Sequence, residues 1–248
     1  MDIVESIVDI QTADGPMATA VFRPADGGPY PSVIVAQEAF GLTSHIIDVA
    51  RRLAGEGYVT AAPDLFHRAG RMQVAPYDRL AEFRDALRKG FSDDSIVMDV
   101  EATVRHLQAD AGPIGIVGFC MGGRVAYLAA ALVPGIAAAA VYYGGNLVPP
   151  EDAPPGTPSG LDLASKISIP VAGFFGEEDG NPSPIAVARI ADALTRYEVK
   201  HTFHSYPGAG HGFFCDERAS YRPDAAADAW SKTLAFFAKH LKVAGVPA

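Results

Sequence analysis

The sequence contains very little cysteine: Cys120 and Cys215 are its only thiols in 248 residues. Two cysteines give no disulfide framework, and their wide separation along the chain matches no metal-binding motif. Unpaired thiols are typical of proteins from reducing compartments. The sequence therefore predicts no metal site and a cytoplasmic location.

Long apolar runs and basic clusters are also missing. No apolar run approaches the roughly 20 residues that span a bilayer, and the first ten residues, MDIVESIVDI, are acidic where a signal peptide is basic. The 20 basic side chains are outnumbered by 29 acidic ones, and they form no run longer than the pairs Arg51-Arg52 and Arg88-Lys89. We therefore expect neither a membrane nor a nucleic acid as a partner.

The composition is that of a globular protein, since 49% of the residues are hydrophobic and 20% are charged. No shift in composition marks a boundary, so we expect one domain over residues 1–248. Short apolar runs alternate with helical patterns. This alternation predicts an α/β fold with a mostly parallel central sheet and helices on both faces.

The order of predicted elements starts with two strands within 3–23, joined at Asp14-Gly15, which form an antiparallel edge. A proline-rich surface loop is expected over 147–160. The other predicted strands are 32–36, 58–62, 114–117, 136–143, 170–176 and 200–206. The predicted helices are 45–56, capped by Thr43 or Ser44, about 80–87, 93–107, a segment after Cys120, 183–197 and about 223–241.

The segment Gly112 to Ala130, GPIGIVGFCMGGRVAYLAA, has the pattern of a strand, a tight turn and a helix. Cys120 is at the apex of the turn, and glycines two positions before and after it remove Cβ atoms that would clash. The N–H groups after Cys120 begin a helix, whose positive dipole end favours a thiolate. Cys120 is thus a candidate nucleophile. The alternative is a small buried apolar residue in an ordinary strand–helix turn.

An acidic residue and a histidine follow later strands: Asp179 comes after 170–176, and His211 lies in the glycine-rich loop after 200–206. The order of nucleophile, acid and histidine is that of hydrolytic triads on α/β sheets. In such a triad His211 takes the proton from sulfur and Asp179 orients the ring. Glu177 and Glu178 are alternative acids, and we prefer Asp179 because it lies deepest in the turn.

Glu38 directly follows the predicted strand 32–36, so it lies at the carboxyl end of a central strand, where open α/β sheets bind ligands. It is either part of the site or an ordinary solvated acid of a loop. The neighbouring N–H of Ala39, together with the N–H of Met121 after the nucleophile, is predicted to form the oxyanion hole.

Five short motifs are spread over nearly the whole chain. They are Gln37-Glu38-Ala39-Phe40-Gly41, Pro63-Asp64-Leu65-Phe66, Gly118-Phe119-Cys120-Met121-Gly122-Gly123, Tyr142-Tyr143-Gly144 and Gly210-His211-Gly212-Phe213. Together they resemble the dienelactone hydrolase (carboxymethylenebutenolidase) family of the α/β-hydrolase superfamily. The resemblance implies opening of a lactone or cleavage of a small ester, without cofactor or metal. It also implies a triad of Cys120, Asp179 and His211, with Glu38 deprotonating the thiol once substrate displaces it.

The chain departs from that family in the two arginines that hold a substrate carboxylate. Cys215 and Ala81 lie where these arginines are expected, and Arg84 and Arg218 are candidate replacements. We predict that the substrate is bound by Phe40, Tyr143, Phe213 and Arg84.

Two alternatives to a lactone hydrolase follow from this departure. A general carboxylesterase or thioesterase would keep the triad and use a different pocket. A non-catalytic binding protein on the same scaffold should have lost a triad residue, and this chain retains all three. The expected partner is a small-molecule lactone or ester, and the expected assembly is a monomer or a homodimer.

Overall fold

The computed structural model describes residues 1–110, 112–149 and 159–242. These ranges contain the strands β1 (Ile3–Thr12), β2 (Gly15–Pro24), β3 (Ser32–Ala36), β4 (Val59–Pro63), β5 (Ile114–Phe119), β6 (Ile136–Tyr142), β7 (Val171–Gly176) and β8 (His201–Tyr206). They also contain the helices α1 (Ser44–Gly55), α2 (Leu80–Leu87), α3 (Asp93–Leu107), α4 (Met121–Leu132), α5 (Gly160–Leu163), α6 (Pro184–Arg196) and α7 (Pro223–His240). Within these ranges, no helix combines the length and the apolar character needed to cross a membrane.

The strands form one sheet in the order β1-β2-β4-β3-β5-β6-β7-β8. β1 pairs with β2, and β2 with β4, in antiparallel fashion, and every other pair is parallel. The predicted fold class, a mostly parallel sheet with an antiparallel edge, is confirmed. Because parallel strands share a direction, β3 to β8 all end at the same side of the sheet, which we term the carboxyl edge.

Helices cover both faces of the sheet, as predicted. Along β3, Ile34 and Ala36 pack into one core with α3, α4 and α6, whereas Val33 and Val35 pack into the other with α1 and α7. Successive side chains of a strand point to opposite faces. The central strands are continuous apolar runs because both of their faces are buried.

Element ends follow local backbone signals. Thr43 caps α1 by accepting a hydrogen bond from the N–H of Ile46 at 3.5 Å, and Ser92 forms a capping box at the start of α3. Strand β6 ends one residue earlier than predicted because Tyr143 has a φ of 37°, which lies outside the β region. The proline-rich loop predicted over 147–160 lies mostly outside the described residues.

Candidate active site

The turn between β5 and α4 holds Cys120 in a strained conformation. Its φ and ψ are 56° and −117°, a combination that non-glycine residues rarely adopt. A Cβ on Gly118 would lie 1.8 Å from the carbonyl oxygen of Gly122, and one on Gly122 would lie 2.1 Å from that of Ala36. Both positions therefore require glycine. The close packing that they allow holds Cys120 at the carboxyl edge, as the residue that precedes α4.

Asp179 follows β7 and His211 lies in the loop after β8, so two adjacent parallel strands bring them together. Nδ1 of His211 donates a hydrogen bond to Oδ2 of Asp179 at 2.8 Å. The other oxygen of Asp179 accepts a hydrogen bond from the N–H of Asn181, also at 2.8 Å. Asp179 is buried, whereas Glu177 and Glu178, the alternative acids, are exposed. The structure thus pairs His211 with Asp179.

The ionisation of His211 is set by opposing effects. Burial lowers the pKa of His211, but hydrogen bonds to Asp179 and Cys120 raise it by more, to about 10. The ring is therefore protonated at neutral pH. An imidazolium next to a thiol can stabilise the thiolate or give its proton to a leaving group.

Cys120 and His211 line a cavity of about 210 Å³, which we term the site cavity. Four of the predicted site residues are in its lining: Ala39, Cys120, Met121 and His211. The remaining lining residues are Arg88, Phe91, Arg124, Gly145, Asn146 and Asn181. A larger cavity of about 380 Å³ shares Asn146 and Asn181 with it, but the described residues that line it include neither Cys120 nor His211. The smaller cavity is therefore the candidate substrate site.

The four predicted substrate-binding residues are outside the lining of the site cavity. Phe40, Tyr143 and Phe213 are buried, and the ring of Tyr143 packs edge-on against His211 with centroids 5.1 Å apart. Arg84 lies away from the cavity, with its side chain 57% exposed and 3.5 Å from Asp85. Phe213 packs in turn against Tyr143, with ring centroids 5.4 Å apart, so these two rings help to position His211.

Sequence reasoning missed Arg124, Asn146 and Asn181, and it chose Arg84 rather than Arg88 as the substrate-binding arginine. Arg88 lies four residues after Arg84, about one helical turn. The helical pattern therefore placed both side chains on the same face of the helix, but it did not show which of them faces the site. The guanidinium of Arg124 is held by both carboxylate oxygens of Asp93, at 2.5 and 2.9 Å. The two asparagines follow β6 and β7 and hydrogen-bond to each other. Their only sequence signal was their position after strands.

Glu38 is fully buried, and it precedes Ala39, which lines the site cavity. Nη1 of Arg218 lies 3.5 Å from Oε1 of Glu38, and the Arg218 guanidinium sits 5.3 Å from the centre of the Phe40 ring. Burial raises the pKa of Glu38, and the positive charge of Arg218 opposes that rise only in part. Among the described residues, neither carboxylate oxygen of Glu38 has a hydrogen-bond donor. When it is ionised, such a carboxylate is a stronger base than an exposed one.

Comparison with known proteins gives consistent matches over nearly the whole chain. The model of the Dienelactone hydrolase family matches residues 17–241. A Synechocystis protein, provisionally named a carboxymethylenebutenolidase, is 39% identical over 98% of this chain and 99% of its own length. A Bradyrhizobium protein, provisionally named a 2-oxo-3-(5-oxofuran-2-ylidene)propanoate lactonase, is 30% identical over 94% of each chain.

A similar structure extends the agreement from sequence to fold. The crystal structure of a Klebsiella pneumoniae protein, provisionally named a dienelactone hydrolase, has a TM-score of 0.87 and 33% sequence identity to this chain. The match covers 97% of this chain and 100% of that chain. On these sequence and structural similarities, the chain belongs to the dienelactone hydrolase family and is a carboxylic ester hydrolase.

Proposed function

We propose that the protein hydrolyses a lactone or a small ester with Cys120 as nucleophile, His211 as acid and base, and Asp179 as the residue that orients His211. The observation that carries this proposal is the 2.8 Å hydrogen bond from His211 to Asp179, made by a ring that lines the same cavity as Cys120. Cysteine, imidazole and carboxylate together can generate a nucleophile and return a proton to the leaving group.

The reaction begins with a proton transfer from the thiol of Cys120 to Glu38 as substrate enters. The raised pKa of Glu38, caused by burial, makes it a stronger base than an exposed carboxylate. The thiolate then attacks the carbonyl carbon and forms an S–C bond. The N–H groups of Met121 and Ala39 stabilise the negative oxygen of the tetrahedral intermediate.

Collapse of the intermediate breaks the C–O bond of the ester or lactone, and protonated His211 gives its proton to the leaving oxygen. The neutral ring then takes a proton from a water molecule, whose oxygen attacks the thioester carbonyl. When the S–C bond breaks, Glu38 returns its proton to the sulfur of Cys120. One water is consumed, a carboxylic acid and a hydroxyl are formed, and His211 is charged again.

The charge of the site cavity favours a substrate that carries a carboxylate. Arg124 is neutralised by Asp93, but Arg88 has no ion-pair partner among the described residues and lines the cavity. A guanidinium matches a carboxylate in a two-pronged geometry. The name of the Bradyrhizobium relative describes a lactone with a propanoate group, which has the same combination of functional groups.

A general carboxylesterase or thioesterase is the second candidate. Arg218, one of the expected substitutes for the family's substrate-binding arginines, faces Glu38 and is not among the residues that line the site cavity. With one free guanidinium in place of two, the cavity also fits small uncharged esters. Comparing short p-nitrophenyl esters with dienelactones separates the two candidates.

The triad is tested with Cys120→Ala and Asp179→Asn, assayed on both substrate classes. Triad substitutions reduce kcat by about 10³-fold or more, so we expect Cys120→Ala to be inactive and Asp179→Asn to lose roughly 10²- to 10⁴-fold. Exposed Glu178→Gln is the matched control and should stay within about 2-fold, because its carboxylate lies outside the triad. Circular dichroism checks the fold.

Two results would contradict this assignment. Substantial turnover by a well-folded Cys120→Ala variant removes Cys120 from the mechanism. Loss of activity in Glu178→Gln, with Asp179→Asn unaffected, moves the acid to the neighbouring residue.

Arg88→Gln tests the substrate class. Removing this guanidinium should raise KM for a carboxylate-bearing lactone by about 10-fold or more, equivalent to 1.4 kcal/mol of binding free energy, and leave KM for a neutral ester unchanged. Lys89→Gln removes an adjacent exposed charge that does not line the cavity and is the control. Equal effects of Arg88→Gln on both substrates would show that Arg88 does not recognise the carboxylate.

A further inference from the structure

Three side chains with metal-ligating atoms, from two distant parts of the sequence, come together near Glu38. One ligand atom from each of His45, Cys215 and Asp216 lies within 4.8 Å of the other two. Nδ1 of His45 is 3.2 Å from Oδ1 of Asp216. His45 stands at the start of α1, and Cys215 and Asp216 belong to the loop that follows His211. The cluster therefore joins two parts of the carboxyl edge.

The surroundings of this cluster are unusual for a simple ion pair. His45 is 3% exposed and Cys215 is fully buried, whereas the Asp216 side chain is 65% exposed. Nε2 of His45 is buried and has no hydrogen-bond partner among the described residues. Sγ of Cys215 lies 3.6 Å from the hydroxyl of Tyr77. Because one ion can bind only one nitrogen of an imidazole ring, the ligand atom of His45 is Nδ1, which faces Asp216.

The donor set identifies the class of ligand. Sulfur, imidazole nitrogen and carboxylate oxygen together are the ligands of Zn²⁺, which binds them at about 2.0–2.3 Å. Three donors within 4.8 Å of one another can surround one ion at such distances after small side-chain movements. Hard cations such as Mg²⁺ and Ca²⁺ prefer oxygen ligands and do not suit a thiolate.

We propose that His45, Cys215 and Asp216 bind one divalent cation of the zinc class. Binding forms bonds from the metal to sulfur, nitrogen and oxygen, and the thiol proton of Cys215 passes to solvent, with no change of oxidation state. Exposed Asp216 provides the route of entry, and water completes the coordination. The bound ion ties the start of α1 to the loop that carries His211 and Arg218, independently of the hydrolytic triad.

The test is titration of the metal-free protein with Co²⁺ and Zn²⁺. Co²⁺ bound by a thiolate gives a sulfur-to-metal absorption band, and Zn²⁺ is counted by equilibrium dialysis. The assay is done in wild type and in Cys120→Ala, which lacks the other thiol of the chain. We expect one ion per chain in both, with the sulfur band present in both.

Variants of the cluster give the expected losses. Cys215→Ser should abolish the sulfur band and weaken Zn²⁺ binding by roughly 100-fold, and Asp216→Asn should weaken it by about 10-fold. Asp85→Asn changes a 96% exposed carboxylate and is the matched control, with no expected effect. Because Asp216 is exposed, Asp216→Asn serves as the test even if substitution of buried Cys215 prevents folding.

Thermal unfolding gives a readout that is separate from activity. An ion that binds only the folded chain raises Tm, by roughly 5–10 °C at about 100 times its Kd. A rise in wild type and Cys120→Ala that is absent in Asp216→Asn supports the site. Three results would overturn it: no binding at about 100 μM Zn²⁺, a sulfur band that persists in Cys215→Ser but disappears in Cys120→Ala, or binding that Asp216→Asn leaves unchanged.

Discussion

Glu38, which is fully buried, and His211, which is partly exposed, both have raised pKa values, for different physical reasons. Burial favours the neutral form of Glu38, and the positive charge of Arg218 opposes it only in part. For His211, burial favours the neutral ring, and the hydrogen bonds to Asp179 and Cys120 outweigh it. The two shifts suit opposite tasks in the proposed mechanism. Ionised Glu38 is a stronger base than an exposed carboxylate, and His211 holds a proton for the leaving oxygen.

The raised pKa of His211 predicts a pH dependence of stability. The pKa is about 10 in the folded protein and 6.5 in the unfolded chain, so proton binding favours the folded state. This contribution is fully present below about pH 6.5 and is lost as the pH rises through about 10. Urea unfolding of wild type and His211→Gln across this range measures it.

The difference in unfolding free energy between the two proteins should shrink steadily from pH 6.5 to pH 10, since glutamine does not titrate. A difference that stays constant over this range would mean that His211 has an ordinary pKa in the folded state. A difference that grows with pH would mean that folding lowers the pKa of His211 instead of raising it.

The element that defines the site is the tight turn between β5 and α4. Its geometry depends on close contact between backbones: Gly118 against Gly122, and Gly122 against Ala36 of β3. The strain at Cys120, of order 1–3 kcal/mol for such a conformation, is tolerated because neighbouring elements are well packed. The turn thus couples the position of the thiol to the packing of the central strands.

Gly122→Ala should destabilise the protein strongly. The new methyl group would lie 2.1 Å from a backbone oxygen, which cannot move as a flexible side chain could, so we expect a loss of about 3 kcal/mol or more of unfolding free energy. Gly180→Ala is the control, because nothing lies within 4 Å of its added Cβ, and it should change stability by less than about 0.5 kcal/mol. Equal denaturation midpoints for the two variants would contradict this account of the turn.

Across the whole molecule, ion pairs connect loops at the carboxyl edge to distant elements. Arg68, in the loop after β4, donates two hydrogen bonds to Asp99 of α3, at 2.7 and 2.9 Å. It also donates to Asp14 in the β1–β2 turn at 2.7 Å. Asp99 is 1% exposed and also contacts Nε2 of His67 at 3.3 Å. One guanidinium therefore holds three parts of the chain together.

Removing the buried carboxylate of this network should be costly. Asp99→Ala leaves the charge of Arg68 without its main partner, which typically costs about 3–5 kcal/mol. Asp85→Ala removes an exposed carboxylate and should cost less than about 0.5 kcal/mol. Chemical denaturation of both variants measures the difference. A loss below 1 kcal/mol for Asp99→Ala would show that the network adds little to stability.

The sequence by itself determined the fold class and the positions of the main chemical groups. The strands are continuous apolar runs because both faces are buried, and the chain direction puts Glu38, Cys120, Asp179 and His211 after strands that end together. The glycines around Cys120 specified the turn, because their backbone contacts exclude a Cβ. These signals are local or follow from topology, so one sequence contained them.

Only the tertiary structure decided which long side chains reach the site. Arg88 lines the site cavity and Arg84 does not, because the docking of α2 selects between residues of one helical face. Arg218 faces Glu38 through the path of the loop after β8. His45 and Cys215 meet although 170 residues separate them, and no spacing rule indicates such a pair. The positions of flexible side chains and the paths of loops depend on packing across the whole molecule, and no local sequence pattern specifies that packing.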